Sequence, residues 1–255
     1  MKILLTNDDG FDAAGLAAAR TTLIQLGHEV LTIAPARQKS ACAHSLTLSL
    51  PLVFKPVSES FYALDDGTPS DCVYLGLFEF YKDFKPDLVI SGINHGSNLG
   101  EDITYSGTCA AAMEGALQGI KSVAFSQYYV GDSLSGLGFE LACEVVKSVV
   151  KSVQNGAIKW GEREFLNVNI PAVSLSEFKG FRAVRAGKRR YDTRASVGVN
   201  PRGVRYFWLG EADISYEAGL GSDLDAINAG FASLTPVKMD MTSYESLEGL
   251  RGICE

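Results

Sequence analysis

The chain has little of what would tie it to a disulfide scaffold, a membrane or polymeric nucleic acid. Its 255 residues include five cysteines, Cys42, Cys72, Cys109, Cys143 and Cys254, with no C-x-x-C pair among them. An odd, scattered set of thiols argues against a disulfide framework and suits reduced, packing cysteines in the cytoplasm. No apolar run approaches the roughly 18 residues that cross a bilayer. The opening MKILLTNDDG turns acidic too soon for a secretory leader, so neither export nor a membrane partner is expected. Positive charge is also scarce: 23 lysines and arginines stand against 30 aspartates and glutamates, for a formal charge of -7. That balance disfavours a sequence-independent grip on nucleic acid, which comes from cations displacing condensed counterions. Neither G-x-G-x-x-G nor G-x-x-x-x-G-K occurs, removing the dinucleotide fingerprint and the P-loop. Three histidines are present, and no Ser-His-Asp or Cys-His arrangement can be read from them.

What is present is an α/β pattern. KILLT is a short apolar run suited to a strand buried on both faces, followed by a helix from about Gly15 to Gly27 and a strand from His28 to Ala34. A βαβ unit of this kind implies a parallel pair with a right-handed crossover. Alternating stretches at Leu46 to Leu50, Leu52 to Val57 and Phe61 to Leu64 predict a β insertion. A helix is expected from Asp71 to Tyr81, a buried strand at DLVISG and a helix at GTCAAAMEGALQG. Beyond them lie a strand at SVAFSQ, a long helix from Leu134 to Val153 and a strand at FLNVNIP. After about residue 171 the texture changes to a basic stretch holding Arg182, Arg185, Lys188, Arg189, Arg190, Arg194, Arg202 and Arg205 without helical period. It predicts one or two β-hairpins forming an arm. A short helix near Asp223 to Ala229 and a strand at FASLTPV close the chain. No repeat or low-complexity linker divides it. The expectation is one domain over 1–255, with a core to about 171 and an arm plus C-terminal segment over about 172–255.

In an open parallel sheet, ligands bind beyond the carboxyl ends of the strands. Three polar loops fall there: TNDDG, ARQKS and SGINHGSNLGEDITYSGT. Alone, Asn7 to Gly10 is an ordinary βα turn. With the other loops converging, Asp8, Asp9, Ser40 and Asn94 become an oxygen-rich set suited to Mg²⁺ or Mn²⁺. A hard cation would also relieve the repulsion between the two adjacent acids. Ser106, Gly107 and Thr108 stand at a helix start, where unpaired N–H groups favour an anion, although a plain N-cap accounts for them equally. Asn94 and Asn98 could hold phosphate oxygens. His44 and His95 lie in loops that could touch a substrate, whereas His28 opens a strand and is expected to be structural. DDGTPSDC, Asp65 to Cys72, is an acidic turn entering a helix and reads as framework near the site.

These loops together resemble the stationary-phase survival protein E (SurE) family of metal-dependent nucleotidases. The resemblance runs through LLTNDDGFDAAG, APARQKSACAHSLT, DGTPSDCV and PDLVISGINHGSNLGEDITYSGTCAAAMEGA. It continues through NPRG with YFWLG and through SDLDAINAGFASLTPV. It implies a three-layer α/β sandwich with a Rossmann-like, mostly parallel sheet. A protruding β-hairpin arm and a C-terminal extension would exchange between subunits of a homodimer or homotetramer. It further implies hydrolysis of nucleoside 5'- and 3'-monophosphates, and polyphosphate as a further substrate class, with one divalent ion per subunit. Asp8, Asp9, Ser40 and Asn94 match the metal ligands; Asn98, Ser106, Gly107 and Thr108 match phosphate-contacting positions. Asn200 before PRG departs from the aspartate usual there. Two competing readings are a Mg²⁺-holding receiver-like module and a non-catalytic nucleotide-binding protein. A receiver needs a phosphorylatable aspartate after a later strand, where this chain has Ser91 and Asn94.

Overall fold

The structure is a computed structural model that describes residues 1–129, 137–190, 195–209, 215–219 and 221–253. It opens with β1 (Lys2–Thr6), α1 (Ala14–Gln25), β2 (Glu29–Pro35), β3 (Val53–Ser58), β4 (Phe61–Asp65) and α2 (Pro69–Phe80). β5 (Leu88–His95), a 3-10 turn (Gly100–Thr104), α3 (Gly107–Leu117), β6 (Ser122–Gln127), α4 (Glu140–Gln154) and β7 (Glu164–Ile170) follow. Then come β8 (Phe181–Ala183), β9 (Arg189–Arg190), β10 (Ala195–Val199), β11 (Arg205–Leu209) and β12 (Ser215–Tyr216). α5 (Asp223–Asn228), β13 (Ala232–Lys238) and α6 (Tyr244–Arg251) complete the order.

Nine strands form one sheet in the order β3-β4-β2-β1-β5-β6-β7-β13-β8. The run from β4 to β7 is parallel, and β3 and β13 are each antiparallel to their inner neighbour. Successive residues of a strand point to opposite faces, so KILLT splits its side chains between two cores. Ile3 and Leu5 join Leu16, Leu23, Val145 and Val149 of α1 and α4. Leu4 turns the other way, toward Val73 of α2 and Ala111 of α3. Each such fully buried aliphatic side chain contributes about 1.5–3 kcal/mol of burial free energy, so an all-apolar strand is what a sheet covered on both sides requires. This is the expected three-layer α/β sandwich.

Five departures have local causes. Leu46 to Leu50 forms no strand. Its backbone is held by α2 instead: Thr47 N donates to Asp71 Oδ1 (3.0 Å) and Thr68 Oγ1 donates to Ser45 O (2.8 Å), so no ladder is left to form. α2 starts at Pro69, because Thr68 and Asp71 make a capping box that fixes the first turn. The regular part of α4 starts at Glu140 after a turn, later than the expected Leu134; residues 134–136 lie outside the described residues. Phe181–Ala183 belongs to the large sheet beside β13 and not to an arm, with the Arg182 guanidinium 3.7 Å from the Phe231 ring centroid. α6 has no counterpart among the expected elements; its sequence offers few apolar positions, and none of its residues is buried.

The expected hairpin exists as β10 paired antiparallel with β11 in a sheet of its own. Asn200 closes its turn, its Oδ1 accepting from the N–H groups of Arg202 (2.9 Å) and Val204 (3.0 Å), a task that asks only for a side-chain acceptor. Phe207, Trp208 and Leu209 are exposed along it. β9 pairs with β12 in a second small ribbon. Arg194 lies outside the described residues. No helix among the described residues is long and apolar enough to cross a membrane.

Candidate active site

The carboxyl ends of β1, β2 and β5 are sewn together through the acidic pair itself. The carbonyl of Asp8 accepts from Lys39 N (2.7 Å), joining the first loop to the second. Asp9 Oδ2 accepts from His95 N (3.0 Å), joining it to the third. Asp8 Oδ1 accepts a hydrogen bond from Thr108 Oγ1, which adds the start of α3. Gly107 makes that approach feasible: a Cβ there would stand 2.8 Å from Asp8 Cβ and 2.9 Å from Cys42 Sγ. Within the first loop, Asn7 Nδ2 holds Gly10 O at 2.9 Å, and Gly10, at φ 109, takes a backbone conformation that a side chain would strain.

A cavity of about 440 Å³ opens above this junction, lined in part by Asp8, Ser40, Asn94, Asn98, Ser106 and Arg189. Asp9 adjoins it through the His95 backbone, and Gly107 and Thr108 through Asp8. Asp8, Asp9, Ser40, Asn94, Asn98, Ser106, Gly107 and Thr108 therefore fall in one neighbourhood. A cavity of similar size, about 460 Å³, sits at the opposite edge between residues 116–121 and 160–164, where the carboxylates of Glu162 and Glu164 stand with the cations of Lys121 and Arg163.

The electrostatics of the acidic pair are unbalanced. Burial drives the Asp8 carboxyl up to about 6, with the Asp9 charge adding to the rise and the Thr108 hydroxyl opposing it. Burial raises Asp9 as well, partly offset by the His95 N–H and the nearby imidazole. None of the ion pairs among the described residues includes either acid. A buried anion without a counter-charge is costly, and the ways to relieve it are protonation or a bound cation. The surrounding donors are hard oxygens. Among the described residues, Thr108 is the one side chain that donates to Asp8, and the His95 N–H leaves Asp9 Oδ1 open. Ser40 Oγ is held by Gln38 Nε2 at 2.9 Å. Asn94 commits its amide nitrogen to Gly96 O (2.9 Å), which leaves Oδ1 for a ligand. Carboxylate, hydroxyl and amide oxygens fit a divalent ion such as Mg²⁺ or Mn²⁺.

The start of α3 packs directly against Asp8. Ser106 is its N-cap, accepting from Cys109 N at 3.0 Å, while Gly107 and Thr108 supply first-turn N–H groups. The capping and anion-binding readings of this segment are thus compatible, since the cap serves Cys109 and not the earlier amides.

Two supports were not legible from the sequence. Asn167 and Asn169, on one face of β7 and fully buried, clamp the backbone of Asn98. Asn169 Oδ1 accepts from Asn98 N (2.8 Å), and Asn98 O accepts from Asn167 Nδ2 (2.7 Å) and Asn169 Nδ2 (3.1 Å). Asn98 Nδ2 itself donates to Ser126 Oγ (2.7 Å). The signal is the pair of asparagines two apart in an otherwise apolar strand, FLNVNIP. The second support is Asp102, whose carboxylate accepts from Arg189 Nη1 and from Tyr216 OH in short hydrogen bonds. Asp223 fastens the same corner, accepting from Gly100 N and Gly187 N at 2.8 Å each.

Comparison with known proteins agrees with this architecture. The family described as "Survival protein SurE" matches residues 3–193. A relative from Campylobacter concisus (strain 13826), "5'-nucleotidase SurE", is 60% identical over 252 residues, covering 98% of this chain and 97% of its own length. Another of that name, from Sulfurovum sp. (strain NBC37-1), is 48% identical over 254 residues, covering 98% and 96%. The crystal structure of the Sure protein from Aquifex aeolicus superposes with a TM-score of 0.84 at 39% identity, covering 100% of both chains. With a family match over most of its length and relatives of this identity across nearly all of it, the chain belongs to the SurE family.

Proposed function

We propose that the protein is a divalent-metal-dependent phosphomonoesterase that hydrolyses nucleoside 5'- and 3'-monophosphates to nucleoside and phosphate and also trims polyphosphate. One observation carries this reading: a buried carboxylate, Asp8, and a half-buried one, Asp9, stand with no cationic side chain paired to them among the described residues, packed against a helix start at the floor of a cavity large enough for a phosphate ester. Asp8, Asp9, Ser40 and Asn94 would hold one Mg²⁺ or Mn²⁺ per subunit. The ion, when bound, supplies Lewis acidity and lowers the pKa of a coordinated water.

The remaining work belongs to the chain. The N–H groups of Gly107 and Thr108, with the α3 dipole behind them, stabilise negative charge on the transferring phosphoryl group. The Ser106 hydroxyl, whose oxygen already serves as the cap acceptor, keeps its proton to donate to a phosphate oxygen. Asn98, fixed by the β7 asparagines, offers an uncharged amide to the same group. Asp9 Oδ1 is free to orient and deprotonate the attacking water, because His95 N–H engages only Oδ2. An overall charge of -7 is tolerable for an enzyme of anionic substrates only if the local field is reversed, which the ion and the helix start together achieve.

The receiver alternative lacks its acceptor: the carboxyl end of β5 carries Asn94 and His95 and no acid. The relatives' shared name, "5'-nucleotidase SurE", supports an enzyme over a passive nucleotide binder. The exposed β10–β11 hairpin and the C-terminal α6, which buries none of its residues, support assembly into a homodimer or homotetramer. Phosphate release from AMP in the presence of Mn²⁺ or Mg²⁺, abolished by chelator and restored by added metal, is the expected result. Binding of AMP without release would leave only the binder.

A further inference from the structure

We propose that His44, through its bond to Glu114, is a positioning residue that holds Ser40 in place to ligate the metal. This rests on the reading of Asp8, Asp9, Ser40 and Asn94 as the ion's ligands.

The loop that carries Ser40 is strained. Ala41 and Ala43 adopt φ 54 and φ 53, the left-handed region that alanine seldom enters, and they flank Cys42, whose sulfur lies against Gly107. Such conformations persist only where the surroundings over-determine them. Four bonds hold the front of the loop: Lys39 N to Asp8 O (2.7 Å), Lys39 Nζ to Asp66 O (3.3 Å), Ala43 N to Tyr105 O (3.0 Å), and His44 Nε2 to Glu114 Oε2 (2.9 Å). Of these, the last alone reaches α3. Behind it, Thr68 fastens Ser45 and Asp71 fastens Thr47, both belonging to the start of α2.

Glu114 is the one acid of its helix, and this bond is what ties it to the Ser40 loop. It sits in the middle of GTCAAAMEGAL, among alanines and glycines packed on the sheet, and only 5% of its surface is exposed. A carboxylate at such a position needs partners, and it has two: His44, and Gln118 Nε2 at 3.0 Å. The His44 hydrogen bond, first among the causes, holds its carboxyl below the usual range despite burial. Glu114 also lies about two turns along the helix whose first turn would face the phosphate. The bond therefore sets the distance between a metal ligand on one loop and the anion-binding end of α3, through one rigid element. Outer partners of this kind are known to tune metal sites by orienting the groups that ligate.

The test is calorimetric titration of Mn²⁺ into the purified full chain without nucleotide, beside the melting temperature in chelator. His44→Ala is expected to weaken Mn²⁺ binding about tenfold. His44→Gln, whose amide still donates to Glu114, should recover most of that loss. In a double-mutant cycle with Ser40→Ala, His44→Ala should add little, because its effect runs through the missing hydroxyl. Should the alanine variant fail to fold, His44→Leu takes its place in the cycle. Unchanged Mn²⁺ affinity in folded His44→Ala or its leucine substitute, a glutamine variant as weak as that substitution, or additive losses in the cycle would each overturn the positioning role while leaving the metal site standing. Wild-type protein that takes up no Mn²⁺ would overturn the metal reading and this inference together.

Discussion

Asp8 and Asp102 line the same cavity and are treated in opposite ways. Asp102 is compensated within the chain, with a guanidinium on one oxygen and a phenol on the other. Asp8 is more deeply buried, stands beside a second carboxylate and receives only the Thr108 hydroxyl and nearby backbone N–H groups. The fold supplies an arginine to one acid and, among the described residues, no cationic side chain to the other. Under the proposed function, the contrast separates a carboxylate that builds the wall from one that would hold a cation.

The contrast breaks most severely at Asp8. Asp8→Asn is expected to lower turnover by about a thousandfold or more, through loss of the ion and its alignment with α3. In chelator the same variant should melt at a higher temperature than wild type, because a buried charge is gone. Turnover by colorimetric phosphate release and calorimetric melting check the two halves. A fully active Asp8→Asn protein would end the assignment.

Acidity offers the next test. In chelated protein the folded Asp8 carboxyl sits at about 6 against 3.8 unfolded, so between those values the folded chain binds the extra proton. Stability contributed by that proton is present below pH 4 and lost as pH rises through 6, a decline on the order of 3 kcal/mol by linkage. Glu114 runs the other way: its lowered carboxyl favours the fold at neutral pH, and that contribution fades as pH falls through its folded value. Urea unfolding of wild type and Asp8→Asn at pH 4 and pH 7 isolates the first effect, since Glu114 is common to both.

Breaking the compensated acid should instead destabilise. Arg189→Ala leaves Asp102 half-buried without its cation and is expected to lower unfolding free energy by about 1–3 kcal/mol, less than for a fully enclosed pair because water still reaches the site. Asn169→Ala removes the acceptor from the buried N–H of Asn98; about 1–2 kcal/mol of stability and a several-fold rise in KM for AMP are expected by denaturation and kinetics. Smallest of all, Trp208→Ser on the exposed hairpin should change monomer stability by less than about 0.5 kcal/mol while weakening self-association in sedimentation equilibrium.

Much of this molecule is legible in its amino-acid order alone. The apolar strands are buried on both faces, so their composition announces them, and ligands collect beyond the strand ends by topology alone. Asp8, Asp9, Ser40, Asn94 and the α3 start therefore emerge together. What escapes depends on side chains meeting across distance. Leu46 to Leu50 alternates like a strand, yet Thr47 and Ser45 bond to α2, a preference that no local pattern carries. Phe181–Ala183 reads as part of a basic arm because the arginines dominate its composition, although its backbone pairs with β13. The Asn98 clamp and the Arg189–Asp102 pair join residues 71 and 87 positions apart, beyond any periodicity.

The borders of the large sheet bear on how copies of the chain can meet. On one side β3 carries Lys55 and Pro56 and loses register between Pro56 and Ser58; on the other, β8 spans three residues. Short, interrupted, lysine-bearing margins are poor templates for a foreign strand. Growth by edge-on stacking of the large sheet into filaments is thereby discouraged, so any self-association is directed away from these margins.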